Sequence, residues 1–124
     1  MSGKITETEL RDQVRTLGDK FLLRTAGQIP QLQTELERVA TSGDRDALRT
    51  LQEIVHKIHG SGAMFGFDRI SDLAGELEGL ALAPNGQPSA NDPAPFAALA
   101  ARMRPVLEQL GQAVIAAGRT APTT

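Results

Sequence analysis

His56 is the side chain on which chemistry can turn. It sits in the run Glu53-Ile54-Val55-His56-Lys57-Ile58-His59-Gly60-Ser61-Gly62-Ala63-Met64-Phe65-Gly66-Phe67. At about 100° per residue, Leu51, Ile54, Val55, Ile58, Gly62 and Phe65 fall on one helical stripe roughly 120° wide, and His56 projects roughly 140° from its centre. The imidazole therefore faces water or a partner. One turn on stands Gly60, which leaves a flank of the ring open to an incoming group. That openness points to a reaction at a ring nitrogen.

The surroundings of His56 are flat and small. Gln52 and Glu53 lie one turn before it, His59 and Gly60 one turn after, and Ala63 two turns after. An ordinary surface histidine needs no such clearance, and Gly60 and Gly62 each cost roughly 1 kcal/mol against Ala inside a helix. Gly62 falls on the buried stripe, so helix-to-helix packing explains it as well as chemistry does. Met64, Phe65 and Phe67 read as core and helix-end packing. Ser61 can face either a ligand or solvent. His56 and His59, spaced i, i+3 on one helix edge, could also begin a metal site, but zinc would need further ligands from another helix and there is no cysteine to supply one. A helical adaptor without chemistry is the remaining alternative, and it leaves the glycine clearance unexplained.

The elements that hold this helix are legible from periodicity. A first stretch begins near Thr6 or Thr8 and carries Leu10, Val14, Leu17 and Phe21 at coiled-coil-like spacing; Ile29, Leu32, Leu36 and Val39 extend the stripe to Thr41-Ser42-Gly43. Pro30 marks a kink or break, so a short helix followed by a long one is expected, with a continuous helix as the other option. Asp44 is a good N-cap for the histidine helix, which Gly66 ends. Asp68 can cap a third helix bearing Ile70, Leu73, Ala74, Leu77, Leu80 and Ala81. The last helix buries Phe96, Leu99, Met103, Val106, Leu107, Leu110 and Val114, bends at Pro105 and stops at Gly118. Expected helices are about 6–41, 44–65, 68–82 and 93–117, with a turn-rich connector over 84–95 and a frayed tail over 119–124, all in one domain of residues 1–124. Short loops between amphipathic helices predict an all-α, antiparallel up-and-down four-helix bundle with an additional short N-terminal helix.

Composition narrows the function. The chain has 124 residues, 40% hydrophobic, with four Phe and no Tyr, Trp or Cys. One domain with one aliphatic core is expected, too small to include a second domain of ordinary size. The 13 basic and 15 acidic residues are spread evenly, so neither nucleic acid nor an anionic membrane is an expected partner. The absence of cysteine and of a signal-like apolar run near the N-terminus predicts a soluble, cytoplasmic protein.

The run His56-Lys57-Ile58-His59-Gly60-Ser61-Gly62, closed by Phe65-Gly66, resembles the signature of the histidine phosphotransfer (HPt) domain of bacterial phosphorelays. Gly43-Asp44-Arg45-Asp46-Ala47-Leu48 before it and Leu73-Ala74-Gly75-Glu76-Leu77-Glu78 after it follow the same pattern. The departure is His59, where the family usually carries Lys. The resemblance implies that His56 is the phosphoacceptor, with His59, Gly60, Lys57 and Ser61 around the phosphoryl group and Arg49, Gln52 and Ala63 in a receiver-docking patch. It further implies a monomeric carrier without kinase activity of its own, partnered by response-regulator receiver domains and, as a further candidate, a hybrid sensor kinase. No metal or cofactor is expected on this chain, because the receiver holds the Mg²⁺ and the aspartate.

Overall fold

The computed structural model describes residues 6–82 and 94–120. Four helices occur among them, α1 (Glu7–Ser42), α2 (Arg45–Met64), α3 (Asp68–Leu82) and α4 (Ala94–Thr120), and no strand. Helix α1 begins in a capping box: Thr6 Oγ1 accepts from Glu9 N at 3.0 Å while Thr6 N donates to the Glu9 carboxylate. It then runs unbroken through Pro30. The separate short N-terminal helix is thus corrected to the first turns of one 36-residue helix. Pro30 is exposed, and its ring can be accommodated on a face where no partner helix demands a straight hydrogen-bond ladder.

The turns around α2 fix where the histidine stands. Gly43 takes φ +59°, a left-handed conformation, and donates its N–H to the Val39 and Arg38 carbonyls. Asp44 then accepts from Ala47 N at 3.0 Å and starts α2. At the far end Gly66 adopts φ +80°, and Phe67 N donates to Gly62 O at 2.8 Å, closing α2 with a six-to-one bond. Asp68 is the first residue inside α3, with the positive helix end beside it, so it acts on the dipole instead of as the cap residue. At the other extreme α4 continues past Gly118 to Thr120. Most of the expected connector and tail lies outside the described residues, apart from 94–95 and 119–120, which are helical.

Each helix packs on its neighbours in the chain, and α4 returns to pack on α1. Residue pairings give the directions. Gly43 faces Phe96, Glu37 pairs with Arg104 and Ile29 faces Gly111, so α1 and α4 run in opposite senses, while Gly18 faces Phe67 of the α2–α3 turn. Between α2 and α3, His56 meets Glu78 and His59 meets Ser71, again in opposite senses. The core lies inside this ring: Leu32, Val39, Val55, Ala74, Ala100, Met103 and Leu110 have no exposed surface. Phe21 stacks on Phe67 and tilts against Phe65, closing the end of the core nearest the α2–α3 turn.

Candidate functional site

His56 emerges from the middle of α2 with 67% of its side chain exposed, as its helical angle requires. Its ring is nevertheless anchored. Nδ1 donates to Glu78 Oε2 of α3 at 2.6 Å, and Gln52 Nε2, one turn earlier on α2, donates to the same oxygen at 2.9 Å. Glu78 is only 15% exposed, so its carboxylate is held against the bundle by the two donors. A carboxylate only accepts, so Nδ1 carries the proton. In the neutral ring that leaves the lone pair on Nε2, at the outer edge. The result is a fixed imidazole with a nucleophilic nitrogen pointing outward.

Gly60 follows His56 by one helical turn, and a Cβ placed there would meet no atom within 4 Å. The clearance is real space. Ala63 is exposed further along the same face. Met64, which the sequence reading placed in packing, is corrected: it is 76% exposed. The angular arithmetic that exposes His56 also puts Met64 roughly 140° from the buried stripe, so the signal was available. Phe65 and Phe67 do pack at the helix end, half-buried against Phe21.

His59 does not turn to His56. Its Nδ1 donates to the Ser71 carbonyl at 2.7 Å, and Ser71 Oγ donates back to His59 O at 2.8 Å. The ring lies over Gly75, where a Cβ would come within 2.9 Å of it. Gly62 plays the packing role, since a Cβ there would approach the Ser71 backbone at 3.2 Å. Lys57 and Ser61 line a cleft toward α1. Arg49 is exposed two turns before His56, its guanidinium 3.9 Å from Asp46. Among the expected residues, then, the structure joins His56 and Gln52 through Glu78, leaves open space at Gly60 one turn on, and sends His59 to α3 and Lys57 and Ser61 to α1.

Glu78, which anchors the His56 ring, has no such role in the sequence reading. Ser71, Gly75 and Glu78 form a stripe at spacing four and three, small, small and acidic, that faces α2. That stripe becomes meaningful only once α3 is known to pack against the His56 edge of α2. Among the described residues no three His, Asp or Glu side chains converge as metal ligands, and the two histidines direct Nδ1 to separate groups on α3.

No curated protein and no solved structure matches the chain. A family model does, that of the Hpt domain, over residues 8–117, a span that takes in all of α2 and α3 and nearly all of α1 and α4. Such domains are phosphotransfer carriers and not enzymes: they carry phosphoryl groups on histidine in two-component systems and interact there with receiver domains and kinases. That match spans most of the chain, and an outward Nε2 on an anchored imidazole is compatible with such chemistry; this chain belongs to the Hpt domain family.

Proposed function

We propose that this protein is a phosphorelay intermediate in which Nε2 of His56 accepts a phosphoryl group from the aspartyl phosphate of one receiver domain and passes it to another. The observation that carries the reading is the 2.6 Å contact of His56 Nδ1 with Glu78, which fixes the tautomer and leaves Nε2 free. In the transfer the Nε2 lone pair forms a bond to phosphorus as the bond from phosphorus to the aspartyl oxygen breaks, and the carboxylate leaves. The Nδ1 proton stays on the ring. The phosphorylated imidazole is therefore cationic, and Glu78 stabilises that charge while holding the ring in line. Reversal toward a second receiver uses the same atoms.

The receiver supplies the aspartate and the Mg²⁺, and this chain supplies the anchored nucleophile and the open approach at Gly60. Arg49, Gln52 and Ala63 lie where the receiver docks. The protein acts as a cytoplasmic monomer built as an up-and-down bundle, and a hybrid sensor kinase is a further partner class. No helix among the described residues is long and apolar enough to cross a membrane.

Incubation with a phosphorylated receiver, followed by mass mapping of the labelled peptide, tests the assignment. His56→Gln should fold and lose all acceptance, whereas His59→Gln should retain acceptance at a reduced rate. Acid-labile phosphate found on His59 alone would overturn it. Stoichiometric zinc or nickel binding that is lost in both single-histidine variants would favour a metal site instead.

A further inference from the structure

On the opposite shoulder of α2 from Glu78, a cleft of about 350 Å³ opens between α1 and α2, lined by Arg24, Thr25 and Gln28 of α1 and Lys57, Ile58 and Ser61 of α2. No Asp or Glu lines it. The Arg24 and Lys57 side chains make no ion pair or hydrogen bond among the described residues, although other basic side chains of the bundle, Arg38 and Arg104 among them, are paired. Beneath them Thr25 has no exposed surface, and its Oγ1 is a buried polar atom without a hydrogen-bond partner. An unpartnered buried hydroxyl costs about as much as a lost hydrogen bond. Two uncompensated cations, two neutral donors and a hydroxyl that lacks a partner therefore border one cleft.

We propose that this cleft binds a carboxylate side chain of the receiver that docks on His56, and so sets the receiver's orientation; the inference rests on the phosphorelay reading. Charge favours that occupant. The α3 shoulder of His56 holds the largely covered Glu78 carboxylate, while the cleft on the α1 shoulder is lined by Arg24 and Lys57 with the exposed Glu53 outside it, so an acidic group on the partner is drawn into the cleft itself. Reach allows it. An ordinary interface covers about 800 Å² on each partner, a patch roughly 30 Å across, and Lys57 adjoins His56 while Ser61 follows on the next turn. The phosphoryl group itself is not the occupant. The lining residues of α2 point roughly 150° around the helix from His56, away from the outward imidazole edge.

The test compares two phosphodonors on the whole chain: phosphoramidate, a small molecule with no docking surface, and the phosphorylated receiver domain that labels the wild-type protein fastest. Arg24→Gln and Arg24→Glu should leave labelling by phosphoramidate unchanged. With the receiver they should raise the half-saturating concentration by about tenfold and by still more, respectively, with little change in the maximal rate. Thr25→Val should raise the melting temperature yet weaken receiver docking. A screen that converts acidic residues around the receiver's phosphorylated aspartate to Lys should find one that restores transfer to Arg24→Glu. Equal loss with both donors would overturn the proposal in favour of an action on the imidazole or phosphoryl group. Unchanged receiver transfer, with inorganic phosphate shifting the Arg24 and Lys57 resonances saturably, would make the cleft a free-oxyanion site instead. If neither donor labels His56 in the wild-type protein, the phosphorelay reading fails on its own account.

Discussion

Glu78 selects the tautomer that frees Nε2 of His56, and under the proposed relay it would also offset the positive charge of a ring phosphorylated at Nε2. Glu78→Gln keeps a hydrogen-bonding side chain and removes the charge. Receiver transfer should slow by on the order of tenfold, in the range seen when carboxylate partners of functional histidines are lost, and ¹⁵N imidazole spectra of His56 should show a mixture of tautomers. Unchanged spectra and rates would remove Glu78 from the mechanism. Gly60 is a contrasting case, because helical backbone suits any residue and the space beside it is empty. Gly60→Ala should raise stability by up to about 1 kcal/mol, while Gly60→Glu should fold and yet transfer slowly. Melts and rates on the same proteins separate backbone from clearance. Thr25→Val removes a buried hydroxyl that has no partner, and should raise the free energy of unfolding by about 1 kcal/mol in denaturant titration.

The seam between α2 and α3 is built from pairs that fit only together. Gly62 lies against Ser71, His59 lies over Gly75 with its Nδ1 bonded to Ser71 O, and His56 reaches Glu78. Holding His59 to α3 fixes the rotation of α2 about its axis, and that rotation sets the direction of His56 three residues earlier. The seam predicts a coupling. Gly75→Ala alone should destabilise the bundle, because the new Cβ would lie 2.9 Å from a ring that hydrogen bonds keep in place. In a His59→Ala background the same change should stabilise by about 1 kcal/mol, its helix-propensity gain no longer opposed. Additive effects in that double-mutant cycle would show that the ring moves aside freely. Helix α1 behaves differently at its start. Residues 7–17 are all exposed, with Leu10, Val14 and Leu17 about half so, because α2 ends at Met64 and the following turn packs at Gly18. Leu10→Gln or Val14→Gln should therefore change stability by less than about 0.5 kcal/mol, as read from thermal melts.

Across the whole molecule, the properties legible in the sequence are those that one helix carries alone. Periodicity placed the buried faces of α2, α3 and α4: Leu51, Val55, Ile58, Leu73, Leu77, Met103 and Leu110 are all core residues. Cap chemistry placed the Asp44 start and the Gly66 turn, since both depend on residues adjacent in the chain. His56 was exposed by its angle against that same stripe, and Gly60 was open because it lacks a side chain. The misses share a different cause. Leu10, Val14 and Leu17 continue the apolar stripe of α1, and the shorter length of α2 leaves them about half exposed among the described residues. Pro30 signals a break, yet the surrounding bundle keeps α1 in one piece. His59 shares the helix edge of His56 on paper and Lys57 adjoins it in the chain, but Ser71 draws the first to α3 and the second lines the cleft against α1. Glu78 lies 22 residues from His56. The sequence by itself determined the buried faces of α2, α3 and α4, the Asp44 start and Gly66 turn of α2 and the outward histidine, because period and capping are local. The tertiary structure alone decided which carboxylate holds that histidine, which neighbours leave it and which cleft brings Arg24 and Lys57 together, because the rotation and register of packed helices exist only after they meet.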